Sequence, residues 1–292
     1  MARPIRPRVK GRLKLGPVML DQVLASARRL ILASFFGLTF LACTLGGGER
    51  QVEFAEELYR QGKFLSAIEE YSKVVNYGQR SPLALKAQEQ IATIYEQNLK
   101  DFSRAIRAYR DLHQRADDKK VKFLARRAIA RIYQDQLDSA GLAAEEFQGI
   151  IAEFGLTEPD SAEILLTWSK SLMDAGRFKD ACEVLGSFRK NFPGNKDGPR
   201  ALFDEGQALL ADRRPDEAKP IFQEIIARFG GQASYSQLVS EAYYGLGNAN
   251  EMRDDLEAAL VAYRQSLSTY PNRDVIELKI RRVEQRKKER RL

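Results

Sequence analysis

Six alanines, Ala67, Ala105, Ala143, Ala181, Ala218 and Ala259, recur along this 292-residue chain at intervals of 38, 38, 38, 37 and 41 residues. Four residues after each stands a large side chain: Tyr71, Tyr109, Phe147, Leu185, Phe222 and Tyr263. An offset of four brings two side chains together on one face of an α-helix. A period in this range marks one supersecondary unit used repeatedly. A unit this small cannot bury its apolar stripe alone, so its neighbours must stack on it.

Upstream of each alanine lies another apolar helical stretch, and a short junction separates the two. Gly62-Lys63-Phe64, Lys100-Asp101-Phe102 and Gly176-Arg177-Phe178 show that junction most clearly. The Gly or polar residue lets the first helix end in a tight turn. The alanine permits close approach of the two helices, and the large residue fills the space between hairpins. Proline marks the exits at Phe192-Pro193 and Tyr270-Pro271, because it is excluded from helix interiors. The pattern predicts αα-hairpins near 50–78, 83–115, 120–154, 159–192, 197–229 and 235–270, with a last helix near 272–290. Two units depart from it. Ala140 stands where an aromatic is expected, and the fifth unit has Arg214-Pro215 at its turn and Pro220 beyond. A helix starting near Asp216 would place Pro220 in its first turn, where proline costs little.

The Gly-x-aromatic-x-x-Ala-x-x-x-aromatic pattern resembles the tetratricopeptide repeat. Gly62, Phe64, Ala67 and Tyr71 match it, as do Gly176, Phe178, Ala181 and Pro193, and Leu246-Gly247, Leu256, Ala259, Tyr263 and Pro271. The resemblance implies an all-α fold: a right-handed α-solenoid of about six hairpins and a C-terminal capping helix. It also implies a protein-binding scaffold without catalysis, whose first helices line a concave groove. Outward positions of those helices are Glu56 and Tyr59; Leu166, Lys170 and Met173; Phe203, Gln207 and Leu210; and Tyr244, Asn248 and Met252. Aromatics, thioethers and amides suit a protein partner. For each of these residues the competing reading is burial against the preceding hairpin.

The amino-terminal segment carries a different signal. Arg28-Arg29 precedes an apolar run from Leu30 to Leu45, the layout of a secretion signal. Phe40-Leu41-Ala42-Cys43 resembles the lipobox of bacterial lipoproteins, which implies cleavage before Cys43 and its lipidation. Phe40 and Leu41 depart from the usual Leu and small residue of that box. Thr44 in place of Asp implies an outer-membrane lipoprotein facing the periplasm. An uncleaved anchor in the inner membrane and a cytoplasmic chain are the alternatives. Met19 offers a more compact signal than Met1. The expected divisions are a leader and signal over 1–42, an anchored flexible linker over 43–49 containing three glycines, the repeats over 50–271, and a capping helix with a basic tail over 272–292.

Such lipoproteins with repeats resemble components of Gram-negative envelope machines. The partners implied are β-barrel assembly, secretin or peptidoglycan-associated proteins, together with the membrane holding the lipid. Residues 1–42 carry a net +7 and residues 279–291 a net +6, leaving the body between them near −6. That division argues against nucleic acid, which needs a continuous basic face. The tail from Gln285 to Arg291 reads either as a solvated end or as a contact with an anionic surface. Two cysteines and one histidine, His113, exclude a metal cage built from several such ligands. No cofactor, metal or catalytic site is expected. His113 reads as a surface or helix-end residue, and Cys182 and Trp168 as core. Asn272 is placed to cap a final helix whose apolar stripe includes Val275 and Leu278, with Ile276 and Val283 as further members.

Overall fold

The computed structural model describes residues 46–156 and 160–290. Cys43 and the rest of the signal segment lie outside the described residues. All regular structure among the described residues is helical. The helices are α1 (46–60), α2 (Phe64–Tyr77), α3 (Pro82–Thr93), α4 (Phe102–Arg115), α5 (Lys119–Asp135), α6 (Ala140–Phe154) and α7 (Ser161–Asp174). They continue with α8 (Phe178–Asn191), α9 (Gly198–Ala211), α10 (Pro215–Phe229), α11 (Ser236–Met252), α12 (Leu256–Ser266) and α13 (Arg273–Glu289). A π-turn, Ile94–Asn98, ends α3 and a 3-10 turn, Ala233–Tyr235, leads into α11. None of the described helices is long and apolar enough to cross a membrane. The described residues divide into two compact units, one up to residue 90 and one from residue 91.

The repeat read from the alanines is the repeat of the fold. Every second helix, α2 through α12, begins three residues before its alanine, at Phe64, Phe102, Ala140, Phe178, Pro215 and Leu256. All six alanines are fully buried, and the residues four later are at most 7% exposed. Five residues before each alanine the backbone enters the left-handed region: Gly62, Lys100, Asp138, Gly176, Arg213 and Asp254 all have φ between 47 and 74°. That conformation reverses the chain within each hairpin. Glycine adopts it freely, and the four other residues accept a steric cost. Acidic caps start several helices: Asp101 accepts from Arg104 N at 2.9 Å, Asp118 from Lys120 N at 2.7 Å and Asp255 from Ala258 N at 3.1 Å. Each satisfies one of the donors a helix start leaves open. In the unit from residue 91, each helix from α4 to α13 packs on the next, and α9 also packs on α11.

Three expectations need correction. Residues 46–48, read as part of a tether, are helical and belong to α1. Gly48 lets Leu83 approach: a Cβ there would stand 3.0 Å from Leu83 Cδ2. Pro220 is the sixth residue of α10, beyond the first turn. Its missing N–H frees the carbonyl of Asp216, and exposure of both residues lets water satisfy that carbonyl. On α13, Asn272 does accept from Val275 N at 3.4 Å. The buried stripe, however, is Ile276 and Val283, fully enclosed, with Ile280 partly so; Val275 and Leu278 are exposed. A helix presents a face every three or four residues, and the phase beginning at Ile276 wins because it meets Leu256, Leu260 and Tyr263 of α12.

Candidate partner-binding face

Four of the groove positions read from sequence come together. Gln207, Leu210, Asn248 and Met252 line a hollow of about 540 Å³ with Ala211, Glu251, Lys279 and Arg286. The walls are consecutive first helices: α9 supplies the first two residues, α11 the second pair, and α13 the lysine and arginine. Leu210 and Met252 give apolar surface, with Met252 45% exposed, and Gln207 and Asn248 give amide donors and acceptors. The volume lies within the range of small-ligand and side-chain pockets, about 300–1,000 Å³.

One edge of the hollow is a charged network around Glu251. The hydroxyl of Tyr263 lies 2.7 Å from Glu251 Oε2 and 2.8 Å from Asn248 Oδ1, so its single proton serves one acceptor at a time. Lys279 donates to Glu251 Oε2 at 3.1 Å and Arg286 to Oε1 at 3.1 Å. Arg286 also reaches Asp254 at 3.0 Å, and Arg290 pairs with the same carboxylate. Burial works against the charge on Glu251, but the donors Tyr263 and Lys279 and the charges of Lys279 and Arg286 outweigh it. Its pKa therefore lies below the usual carboxylate range. Tyr263 is pushed far the other way, chiefly by burial and then by the adjacent carboxylate.

The second hairpin contains the same arrangement. Tyr109, at the position equivalent to Tyr263, donates to the buried Glu96 at 2.8 Å, and Arg131 of the following first helix donates to that carboxylate at 2.6 Å. Tyrosine on a second helix, glutamate at the end of the preceding first helix and a cation on the next first helix thus make a clasp used twice. Its role is to hold the next hairpin in register. The hollow beside Glu251 is what the clasp leaves open on the first-helix face.

Other expected positions fall elsewhere. Phe203 is only 8% exposed, and its ring lies 6.0 Å from that of Phe222, so it belongs to the core rather than the groove. Tyr244 is half-buried and packs on Tyr263 and Tyr270, with ring centroids 5.7 and 5.0 Å away. Leu166 and Met173 are half-buried against the cluster containing Leu172 and Phe188, while Lys170 is exposed, 3.9 Å from Asp174. Glu56 and Tyr59 lie in the unit up to residue 90, where Glu56 is 3.8 Å from Lys86 and Tyr59 packs on Phe64. Glu251, Lys279 and Arg286 were missed. Treating α13 as one more first helix, with Lys279 and Arg286 two turns apart on one face, would have found the last two.

His113 Nε2 lies 3.0 Å from Glu153, which also accepts from Arg126 at 3.1 Å. Trp168 packs against two core clusters. Burial pushes the thiol of Cys182 up to about 11, against the pull of Arg214, so it is protonated at neutral pH. Among the described residues no group of three or more His, Cys, Asp or Glu could hold a metal ion.

A family model for the tetratricopeptide repeat matches residues 166–233 and 203–274. Over these residues the chain matches the tetratricopeptide repeat. They include α8 through α12 and so the α9 and α11 walls of the hollow. No curated protein matches the chain in sequence. Among solved structures, the chain is similar to a Naa15/Naa10 complex bound to HypK-THB, with TM-score 0.60 and 14% identity over 81% of this chain and 34% of that one. It is also similar to YrrB, described as a tetratricopeptide-repeat protein with an unusual peptide-binding site: TM-score 0.51, 15% identity, 72% of this chain and 96% of that one. A MamA structure from Desulfovibrio magneticus RS-1 has 20% identity and TM-score 0.47 over 57% of this chain and 86% of that one. The first two likenesses place the fold among helical-hairpin repeat proteins.

Proposed function

We propose that this chain is a non-catalytic adaptor of a bacterial cell-envelope complex, anchored through lipidated Cys43 and facing the periplasm from the outer membrane. It receives a segment of a partner protein in the hollow between α9, α11 and α13. The observation that carries the binding reading is the hollow itself: three successive first helices contribute apolar, amide and cationic groups to one recess. A peptide strand would set apolar side chains against Leu210 and Met252 while its backbone meets the amides of Gln207 and Asn248. The repeat fold adds a general expectation of protein binding. The envelope setting rests on the apolar run after Arg28-Arg29 and on Phe40-Leu41-Ala42-Cys43. A β-barrel assembly, secretin or peptidoglycan-associated protein is the partner class that setting suggests.

The test is photocrosslinking in cells from a reactive amino acid placed at Leu210 or Met252, with Val261, 61% exposed on α12, as the control position. A partner captured from the first two positions and not from the third, and lost at least tenfold in Met252→Asp, supports the reading. Equal capture from all three positions rejects the hollow as the site. Intact mass of the membrane-extracted chain checks the anchor separately. A mass beginning at Cys43 with added acyl groups, absent in Cys43→Ser, is expected, and an unmodified 40–43 peptide in the mature protein overturns it.

A further inference from the structure

A second hollow, of about 500 Å³, opens at the end of the amino-terminal unit. Gly47, Gly48 and Gln51 of α1 line it, with Val74 and Tyr77 from the end of α2 and Leu83 from the start of α3. Tyr77 is 94% exposed, the most exposed large apolar side chain among the described residues. A Cβ on Gly47 would meet nothing within 4 Å, so the floor beside it is open.

We infer that this end face is a membrane contact, with Tyr77 seated in the headgroup region and lipid filling the recess. The inference rests on the anchoring reading above, and an uncleaved anchor serves it equally. Residue 46, the first described residue of α1, stands three positions after Cys43, and an extended chain spans at most about 3.6 Å per residue. Residue 46 is therefore held within about 11 Å of the anchored residue, and the next residue, Gly47, lines the recess. Tyrosine is favoured at this depth because its ring is apolar and its hydroxyl stays wet.

The polarity of the face agrees. The start of α3 borders it, and Ser81 caps that helix by accepting from Ala84 N at 3.2 Å. Helix starts carry partial positive charge, which suits anionic headgroups. Arg50, next in sequence to the lining residue Gln51, is exposed, as is Glu49 beside it. A lipid surface meets the aromatic, the apolar recess and the positive start of α3 together.

The full chain, anchored in vesicles of phosphatidylethanolamine and phosphatidylglycerol with dibrominated acyl chains, provides the test. Tyr77→Trp should show emission quenched at least twofold beyond wild type, whose one tryptophan, Trp168, is the internal reference. Val261→Trp should not. Adding Gly47→Glu, which enters open space and leaves the fold intact, should reverse most of that quenching. A chain that fails to float with the vesicles overturns the anchor and this contact together. A chain that floats while Tyr77→Trp stays unquenched overturns the contact and leaves the anchor standing. A blue shift at Tyr77→Trp that grows with protein concentration and ignores the vesicles assigns the face to a second copy, and the membrane contact falls.

Discussion

Gly247 lies flat against the ring of Tyr263: a Cβ there would stand 2.4 Å from both Cδ1 and Cε1. The contact lets α11 and α12 pack tightly there, and the tyrosine hydroxyl reaches Glu251 at 2.7 Å. Gly206 and Gly245 do the same for Phe222, where added Cβ atoms would come within 2.7 and 2.5 Å of the ring. In both hairpins an aromatic four residues after the repeat alanine fits against backbone that has no side chain. The repeat is thus specified twice, by the alanine that admits the neighbouring helix and by the glycine that admits the ring.

Gly247→Ala should therefore destabilise the protein although alanine is the better helix former. Relief of the glycine penalty is worth up to about 1 kcal/mol, whereas forcing a methyl into a filled core costs about 1–3 kcal/mol. The overpacking wins because the obstacle is a fully buried ring, with no flexible chain end to move aside. Chemical denaturation measures the loss. Gly186→Ala on α8, where a Cβ would meet nothing within 4 Å, is the control and should be neutral or stabilising.

The left-handed turn residues offer the opposite sign. Lys100 has φ 52° and Arg213 φ 59° at positions where Gly62 and Gly176 stand in other hairpins. A left-handed conformation costs an L-residue roughly 1–2 kcal/mol, partly offset by the unfolded-state freedom that glycine brings. Lys100→Gly should raise stability by about 0.5–1 kcal/mol, and Gly176→Ala should lower it by a similar amount. Thermal midpoints of the two single variants, moving in opposite directions, are the measurement; a fall in Lys100→Gly counts against strain at that turn.

Much of this architecture was legible because repetition multiplies a weak signal. No single alanine identifies a helix pair, but six in register, each read as one turn into a second helix, located the start of every second helix. The groove was harder to read. Its phase on each first helix depends on how far successive hairpins rotate, and a shift of one position buries Phe203 while leaving Gln207 and Leu210 half-buried at the wall of the hollow. The α13 stripe failed for the same reason: Val275 and Ile276 are adjacent and equally apolar, and only the surface of α12 decides which faces inward. Glu251 carried no signal of its own, since its importance comes from Lys279 and Arg286 on a helix beyond the last complete repeat.

The carboxyl-terminal helix should be integral to the repeat stack rather than a free extension. Ile276 and Val283 are fully buried against α12, and Arg286, Lys287 and Arg290 reach Glu251, Glu257 and Asp254. Removing residues 273–292 would expose Tyr263 and Leu260 and leave Glu251 without its cations. Accelerated amide hydrogen exchange throughout α11 and α12, with α5 through α8 unchanged, is the expected result. Protection unaltered in α12 would show that the sixth hairpin is stable without its cover.

Acid should release the same helix. The folded-state pKa of Glu251 is lowered, so its contribution to stability is fully present above the unfolded value of about 4.5 and is lost as pH falls through the folded value. Protonation removes the acceptor that holds Tyr263, Lys279 and Arg286 together, and Asp254 alone then faces Arg286 and Arg290. Amide exchange in α13 should accordingly rise below pH 4.5 before the core hairpins respond. Glu251→Gln keeps the shape and one acceptor oxygen while removing the charge. In that variant α13 should already exchange faster at neutral pH, and its further response between neutrality and acid should be flatter than in wild type. An equally steep acid response in Glu251→Gln would assign the transition to other carboxylates and remove Glu251 as the residue that fastens the last helix.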